Sequence, residues 1–248
     1  MDAIPHALHA PHTLNVACES IGEDGTREST VHAIAPSALV VAGWTGRDGA
    51  AIEHHIEELA ALGVPRPSSV PLYYRMAAQL LTQSDEIEAL GEHSSGEAEP
   101  VLFFSRGEWW LGVASDHTDR EVERHSVAVS KQMCAKPLAA SAWRWRDVAA
   151  RQDEIALRSR ILEDGRWVDY QRGTLAAIRP LAALRDGVPG LAERPEGFFM
   201  TCGTLAALPN ARGEGIRPAA QMEIELHDAR LQRRIVHRYA VRVLPVIA

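Results

Sequence analysis

Short apolar runs separated by turn-forming residues dominate the chain, and their spacing predicts strands more often than helices. Residues 13–18 and 28–34 predict two strands around the turn-forming residues 22–25. Two such strands form a hairpin. We interpret residues 1–36 as a small N-terminal β-hairpin extension and residues 37–248 as the main domain.

The first half of the main domain predicts a strand, a loop and a helix in succession. Residues 38–43 are an apolar run typical of a buried strand, 44–49 are a loop, and 50–62 have the apolar stripe of a helix. Residues 67–75 are extended and bounded by prolines, whereas 84–96 are polar and are expected to wrap the surface. A loop between a strand and a helix is a common position for a functional site.

The second half is again mostly strand. Residues 139–151 predict a helix, and Glu-Asp-Gly at 163–165 predicts the turn of a hairpin over 157–170. Further strands are predicted at 198–203, 221–227 and 235–243. The order of elements predicts a strand-rich α+β fold with few helices, because the regular βαβ alternation of a doubly wound sheet is missing.

Composition and charge exclude several classes of function. The 248 residues are 46% hydrophobic and carry a formal net charge of −7, with a pI near 5.9. The acidic balance and the scattered arginines argue against a nucleic-acid surface, and the apolar runs are too short to span a bilayer. No G-x-G-x-x-G or Walker pattern indicates a nucleotide cofactor. We therefore expect a cytoplasmic protein that binds neither nucleic acid nor membrane, with Cys18, Cys134 and Cys202 as buried thiols.

Three acidic residues have a spacing that suits one divalent cation. Glu97 and Glu99 are two apart in an extended stretch and so share a face, and Asp116 follows the apolar run at 109–114. Clustered carboxylates repel one another unless a cation neutralises them, and an all-oxygen set favours Mg²⁺ or Mn²⁺ over Zn²⁺. The pattern alone also fits the solvated face of a strand.

Two further sites have the residue types of acid–base chemistry. His55 and Glu58 are three apart on the predicted helix, so Glu58 would orient His55 as a general base on water; the alternative is a solvated helix surface. Lys131 follows an apolar stretch, which predicts a partly buried ammonium that stabilises an oxyanion or pairs with a carboxylate. His117 is excluded as a ligand because its side chain would point away from that of Asp116.

Seven short motifs resemble motifs of the fumarylacetoacetate hydrolase superfamily and occur in the same order along the chain. The resemblance extends from about residue 38 to the C-terminus. They are 46–48 (Gly-Arg-Asp, similar to G-R-N), 54–58 (His-His-Ile-Glu-Glu, similar to D-H-x-x-E), 71–75 (Pro-Leu-Tyr-Tyr-Arg, similar to P-x-x-F-x-K), 96–99 (Gly-Glu-Ala-Glu, similar to H-E-x-E), 116–121 (Asp-His-Thr-Asp-Arg-Glu, similar to D-x-T-x-R-D), Lys131, and 201–204 (Thr-Cys-Gly-Thr, similar to T-G-T-P). Their common order indicates an offshoot of that superfamily.

The resemblance implies a mixed β-sandwich or β-roll core with a few flanking helices, a homodimer, and one Mg²⁺ or Mn²⁺ per subunit. It makes Glu97, Glu99 and Asp116 the metal ligands. The catalytic groups that it implies are His55, Glu58 and Lys131, and the substrate contacts are Arg47, Tyr74, Arg75, Thr118, Arg120, Gly203 and Thr204.

Three positions depart from the superfamily pattern and concern the site directly. Arg75 stands in place of a lysine, Gly96 in place of a histidine, and Leu205 in place of a proline. The scaffold is therefore predicted more firmly than the substrate.

The function expected from this resemblance is hydrolytic cleavage of a carbon–carbon bond in a small 2,4-dioxo, acylpyruvate-like acid through a metal-stabilised enolate. Decarboxylation, hydration or tautomerisation of a 2-oxo acid needs the same enolate, and the sequence does not separate these reactions. A further hypothesis is a non-catalytic binding or scaffold protein on the same fold. The joint presence of His55, Glu58 and Lys131 favours an enzyme.

Overall fold

A computed structural model describes residues 12–61, 66–191 and 196–247, with the side chains of His55 and of residues 58–61 outside that description. The strands are β1 Leu14–Ile21, β2 Arg27–Ile34, β3 Ala38–Gly43, β4 Leu72–Met76, β5 Leu81–Thr82, β6 Glu86–Leu90, β7 Ser94–Ser95, β8 Ala98–Ser105, β9 Glu108–Ser115, β10 Thr118–Asp119, β11 Lys136–Pro137, β12 Ser141–Arg144, β13 Ala156–Glu163, β14 Arg166–Thr174, β15 Phe198–Thr201, β16 Gln221–Asp228 and β17 Arg233–Leu244. The helices are α1 Gly49–Ala61, α2 Arg120–Glu123, α3 Val127–Gln132 and α4 Leu181–Asp186, with 3-10 turns at Ala78–Leu80, Trp145–Asp147, Ala149–Glu154 and Leu175–Ala177.

Two sheets contain most of these strands. The eight-stranded sheet has the order β2-β1-β12-β9-β8-β15-β3-β4, and the five-stranded sheet has the order β14-β13-β16-β17-β6. Strands β13, β16 and β17 of the smaller sheet contact β8 and β9 at the centre of the larger one. The strand-rich α+β class with a mixed β core, predicted from the sequence, is confirmed.

Strand β8, at the centre of the larger sheet, is buried on both faces. Leu102 lies in the core that the two sheets share, whereas its neighbours Val101 and Phe103 lie in a second core on the opposite face. This alternation is the two-residue period of a strand. Each side chain of this kind contributes roughly 1.5–3 kcal/mol by burial. The ends of β8 are therefore firmly positioned.

The predicted N-terminal hairpin is present in the fold. β1 and β2 pair antiparallel along their full lengths, and β1 also pairs parallel to β12, so the hairpin forms one edge of the eight-stranded sheet. The division of the chain into an extension at 1–36 and a domain at 37–248 stays a prediction.

The helix predicted at 139–151 is wrong. β12 and two 3-10 turns occupy this stretch. Trp143 and Trp145 are both buried, and β12 pairs with β9 and with β1, so the packing of large indoles overrides helix propensity. The polar stretch 84–96 also contains β6 and β7, because Ile87 and Ala89 give β6 one buried face.

Two expectations from composition concern the membrane and the cysteines. Within the ranges described above, no helix is long and apolar enough to cross a bilayer. The three cysteines are buried and free. Burial raises the pKa of each thiol, to about 12 for Cys18, so these groups pack the core and are poor nucleophiles.

Candidate active site

A tight β-hairpin brings the three acidic positions to one end of the central sheet. β8 and β9 pair along their full lengths. Arg106 and Gly107, which connect them, have φ values of +52° and +79°, as expected for a two-residue turn whose twist matches that of the strands. At the opposite end, the Asp116 N–H donates to the Glu97 carbonyl at 3.0 Å. This register places Glu97 and Asp116 side by side, with Glu99 two residues into β8.

Glu99 is buried and is held by a backbone donor. The Gly203 N–H donates to Glu99 Oε2 at 2.9 Å. Gly203 has φ +92°, and a Cβ at this position would overlap the hydroxyl of Thr45. Glycine is therefore the residue that fits this close approach of the backbone to the carboxylate.

Asp116 is fully buried between two lysines. The Lys131 ammonium donates to Asp116 Oδ2, and the Lys136 ammonium lies 3.2 Å from Oδ1. Lys136 directs its hydrogen bonds to the carbonyls of His117 and Lys131, so Oδ1 has no hydrogen-bond partner among the described residues. The Lys136 ammonium is therefore an ion-pair partner of Oδ1 without a well-aligned hydrogen bond, which leaves part of the cost of burying this oxygen unmet.

Glu97 turns toward Arg120. Arg120 Nη2 lies 3.1 Å from Glu97 Oε2, and the same guanidinium pairs with Glu123 at 2.9 Å and donates to Ser95 Oγ at 2.7 Å. The Arg120 side chain is only 16% exposed. A residue predicted to contact substrate is thus fixed as the partner of a predicted metal ligand.

Burial and close charges set the protonation of the cluster. Burial and the negative charge of Asp116 raise the pKa of the Glu99 carboxyl to about 8. Burial alone would also raise the pKa of Asp116, but Lys131 and Lys136 hold that pKa well below its usual value. Burial disfavours the charged form of Lys131, yet the carboxylates of Asp116, Glu97 and Glu99 raise its pKa above the ordinary value. Asp116 and Lys131 therefore form a charged pair at neutral pH.

The donor set fits a hard divalent cation, although the carboxylates do not yet converge on one point. In the described ranges, no group of three acidic, histidine or cysteine side chains stands at ligand distances, because arginine and lysine partners hold Glu97 and Asp116. All three donors are oxygens, Asp116 Oδ1 is buried without a hydrogen bond, and burial together with the charge of Asp116 raises the pKa of Glu99, a penalty on its charged form that a bound cation would relieve. By type, these carboxylate oxygens are the donors that Mg²⁺ and Mn²⁺ prefer.

The predicted substrate contacts on the first strands divide into two kinds. Tyr74 lies on the cluster side of β4, where burial raises the pKa of its phenol and Lys131 and Asp116 are close enough to influence it. Arg75 is exposed and, as the next residue in the strand, points to the other face. Arg47 forms a two-pronged pair with Asp153 at 2.6 and 2.7 Å, which leaves little of its guanidinium for a ligand.

Thr118 and Thr204 support the backbone around the carboxylates. Thr118 Oγ1 donates to the Asp116 carbonyl at 3.1 Å, and Thr204 Oγ1 donates to the Ala98 carbonyl at 2.8 Å, between Glu97 and Glu99. Both hydroxyls bind main-chain oxygens, so their contacts in this structure position the ligands.

The predicted pair His55 and Glu58 lies on α1, whose first turn is capped by Asp48 Oδ1, an acceptor of the Ala50 and Ala51 N–H groups at 3.0 and 3.1 Å. Both side chains lie outside the described residues, and their catalytic role stays a prediction.

His117 is buried beside Asp116 but faces away from the cluster. Its ring nitrogens form hydrogen bonds with the Tyr239 hydroxyl at 3.1 Å and with Ser94 Oγ at 3.0 Å. Burial lowers the pKa of His117 to about 3, so the ring is neutral. This geometry agrees with its exclusion from the ligand set.

Sequence reasoning missed two residues of the site, Lys136 and Gln171. Lys136 is fully buried against Asp116, and Gln171 accepts from the Ala98 N–H at 2.8 Å while donating to Thr204 Oγ1 at 2.6 Å. A signal for Lys136 was present, because the chain contains only two lysines and both lie within twenty residues of Asp116. Nothing in the sequence marked Gln171, which comes from the other sheet.

The fold is similar to that of solved structures from the fumarylacetoacetate hydrolase superfamily, which confirms the resemblance predicted from the motifs at the level of the fold. The family model described as "Protein of unknown function (DUF2848)" matches residues 42–239, and the chain belongs to this family. A comparison with the curated proteins found no match.

Three solved structures are similar in fold. Cg1458 is 12% identical, with 92% of this chain and 88% of that chain covered and a TM-score of 0.58. A 2-keto-3-deoxy-D-arabinonate dehydratase complexed with magnesium and 2,5-dioxopentanoate is 12% identical, with coverages of 87% and 77% and a TM-score of 0.56. A fumarylacetoacetate hydrolase from the psychrophilic Exiguobacterium antarcticum is 14% identical, with coverages of 88% and 81% and a TM-score of 0.58. At these identities the likeness establishes the fold.

Proposed function

We propose that this protein is a divalent-metal-dependent enzyme, assembled as a homodimer, that hydrolyses a carbon–carbon bond in a small 2,4-dioxo, acylpyruvate-like acid. The observation that supports it most is that Glu97, Glu99 and Asp116 lie at the same end of one buried hairpin, although their carboxylates do not converge on one point. Among proteins of similar fold, one is named a hydrolase, and a dehydratase is described with magnesium and a dioxo acid.

Glu97, Glu99 and Asp116 would hold one Mg²⁺ or Mn²⁺ ion. When bound, the cation would polarise two adjacent oxygens of the substrate and stabilise negative charge on the leaving carbon. The protein supplies the dry, rigid setting, because Glu99 and Asp116 are buried and β8 is packed on both faces.

The remaining chemistry falls to side chains of this chain. His55, oriented by Glu58, would take a proton from the water that adds to the carbonyl at C4 of the substrate. The C3–C4 bond then breaks, and C3 receives a proton, which yields a carboxylic acid and pyruvate. Lys131 and Lys136, both next to Asp116, would offset the negative charge of the substrate carboxylate.

A second candidate is dehydration of a 2-oxo acid, with decarboxylation, hydration and tautomerisation in the same group. The specific support is the named dehydratase of similar fold. These reactions would use the same carboxylates and lysines and differ at C3 and C4 of the substrate. Hydrolysis and decarboxylation break the C3–C4 bond, with water or CO₂ accounting for the other fragment. Dehydration removes a proton from C3 and hydroxide from C4, hydration reverses this, and tautomerisation only moves a C3 proton. A binding protein that kept the fold without the reaction is the third possibility.

The test is turnover by the purified protein with Mn²⁺ or Mg²⁺, using acylpyruvates, oxaloacetate and a 3-deoxy-2-oxo acid, with products followed by NMR. We expect pyruvate and a carboxylic acid from the acylpyruvates. Exclusive loss of CO₂ or of water would move the assignment to the second group. Absence of metal-dependent turnover of all three substrate types would contradict the proposed function.

Glu99→Gln is the matched variant, because the amide is nearly isosteric and its oxygen can still accept from the Gly203 N–H. Even changes to groups that only orient metal ligands cost about 10–100-fold in affinity or activity, so loss of the ligand should cost about 10²-fold or more. A binding protein would keep its ligand affinity in this variant, and an enzyme would lose its turnover.

A further inference from the structure

The distribution of lysine in this chain points to a special role. Of 26 lysine and arginine residues, only two are lysines, Lys131 and Lys136. Both are buried, and both ammonium groups lie against the same carboxylate, that of Asp116. Every other basic side chain is an arginine. Lysine offers a compact point charge on a flexible stem, whereas a guanidinium is planar and bulky.

The Lys131 ammonium lies among the carboxylates that would hold the metal. It contacts Asp116 Oδ2 directly, and its charge also interacts with Glu97 and Glu99. Lys131 is the next-to-last residue of α3, and its side chain has four rotatable bonds, so other positions of the ammonium do not require the backbone to move. Asp116 Oδ1, on the other side of the carboxylate, lies 3.2 Å from the Lys136 ammonium but has no hydrogen bond in the described part of the chain.

The charges of the described side chains are already close to balance. Three carboxylates, those of Glu97, Asp116 and Glu123, pair with the three cations Lys131, Lys136 and Arg120, and Glu99 can add at most one further negative charge. A divalent cation added to this set would leave surplus positive charge in a buried site. Uncompensated buried charge is strongly unfavourable, so either an internal cation must leave or an anion must arrive.

We propose, on the basis of the proposed function, that the Lys131 ammonium occupies the metal-binding position beside Asp116 when no metal is bound. The divalent metal then binds tightly only together with an anionic ligand, which pairs with the displaced ammonium. The substrate class is thereby narrowed to acids whose carboxylate can pair with Lys131 while adjacent oxygens chelate the metal. Each of the two, metal and substrate, then raises the affinity of the protein for the other. The increase is expected to be about 5–150-fold, as is common between linked sites.

The test uses the lysine content of the chain. In protein labelled with ¹⁵Nζ-lysine, two side-chain signals are expected, and Lys131→Arg identifies one of them by its loss. Mg²⁺ and oxalate are the probes. We expect Mg²⁺ alone to change the Lys131 signal little, and Mg²⁺ with oxalate to shift it strongly, while calorimetry shows Mn²⁺ affinity about tenfold or more higher with oxalate than without.

Two variants separate charge from bulk. Lys131→Met removes the charge at similar length and should tighten binding of Mn²⁺ alone by about tenfold or more, whereas Lys131→Arg keeps the charge and should not tighten it. If Lys131→Met fails to fold, the lysine signals of the wild-type protein still test whether the Lys131 ammonium moves when Mg²⁺ and oxalate bind together.

The outcomes distinguish the two proposals. Tight binding of Mn²⁺ alone by the wild-type protein, with the Lys131 signal unmoved by oxalate, would overturn the role of Lys131 and leave the metal enzyme intact. No Mn²⁺ binding by wild type or Lys131→Met, with or without oxalate, would overturn both.

Discussion

Gly203 brings its backbone N–H within hydrogen-bond distance of the carboxylate cluster. Its N–H donates to Glu99, its φ is +92°, and Thr45 fills the space that a side chain would need. The motif at 201–204 identified this glycine from the sequence, but not the atom that it serves. The sequence motif indicates that a glycine is needed at this backbone position, but only the fold shows that its N–H binds Glu99.

Gly203→Ala should destabilise the fold by about 2–4 kcal/mol, because a positive-φ alanine costs about 1 kcal/mol or more and the clash with Thr45 adds about 1–3 kcal/mol. The free energy of unfolding in urea measures this. Gly107→Ala is the matched control, since Gly107 has φ +79° but no atom within 4 Å of the position that a Cβ would occupy. Equal losses in the two variants would show that the Thr45 contact is unimportant.

The partners of Lys136 and Arg120 could not be predicted from the sequence, because they depend on which strands pair. Arg120 was found through the motif at 116–121, yet its pairing with Glu97 depends on β7 and β10 lying side by side. Lys136 belongs to none of the seven motifs, and its burial against Asp116 follows from the pairing of β11 with β5. Side-chain chemistry was visible in the sequence, but the long-range pairs were not.

At the scale of elements, Gln171 joins the two sheets at the site. From β14 its amide accepts from the Ala98 N–H at 2.8 Å and from Ser159 Oγ at 2.8 Å. It donates to Thr204 Oγ1 at 2.6 Å and to the Leu205 carbonyl at 2.7 Å. Four hydrogen bonds from one buried amide fix the backbone on which Glu97 and Glu99 are mounted.

Gln171→Leu should lower the free energy of unfolding by about 2–4 kcal/mol, because a buried donor or acceptor left without a partner costs about 1–3 kcal/mol. It should also weaken Mn²⁺ binding in the presence of oxalate, since Ala98 lies between two predicted ligands. Gln83→Leu is the control. Gln83 likewise bonds the backbone of another strand, at Asn15, but it is at the surface, where water replaces the lost bonds. Loss of stability in the Gln171 variant with Mn²⁺ binding unchanged would separate Gln171 from the site.

Elements with a regular period were predicted well, and those shaped by packing were not. The hairpin around 163–165 follows from its turn residues, and β13 and β14 pair on either side of it. The stretch at 139–151 has helix-forming alanines, but its tryptophans fill the space between strands, which no local rule anticipates. Tertiary contacts therefore determine the secondary structure of residues 139–151.

At the scale of the whole molecule, Asp228 links the five-stranded sheet to its surroundings. It is 1% exposed at the end of β16, and it pairs with Arg151 at 2.6 Å and with Arg233 at 3.1 Å. Arg233 in turn reaches Glu19 of β1 at 2.6 Å. This chain of charges joins the smaller sheet, the 3-10 turn at Ala149–Glu154 and the edge of the larger sheet.

The stability that Asp228 contributes should depend on pH. Burial alone would raise the pKa of Asp228, but hydrogen bonds from Arg151, the Leu231 N–H and Arg233 lower it from 3.8 to about 2. The folded form therefore holds the proton more weakly than the unfolded chain does. The contribution, about 2 kcal/mol, is full above pH 4 and is lost as the pH falls toward 2.

Urea unfolding at pH 6, 4 and 3 checks this. The difference in unfolding free energy between wild type and Asp228→Asn should be largest at pH 6 and should shrink below pH 4. Asp153→Asn is the control, because Asp153 also forms a two-pronged arginine pair but is 51% exposed, where such pairs contribute little. A difference for Asp228→Asn that does not change with pH would show that its arginine contacts do not set its pKa.

The central claim is that Glu97, Glu99 and Asp116 hold one hard cation. Its most direct test is anomalous X-ray scattering from crystals grown with Mn²⁺ and oxalate. We predict one manganese peak per chain, bonded to oxygens of all three carboxylates, with the Lys131 ammonium moved from Asp116 to the oxalate, and no such peak in Glu99→Gln. A peak bound elsewhere, or none while Lys131 remains on Asp116, would contradict the claim.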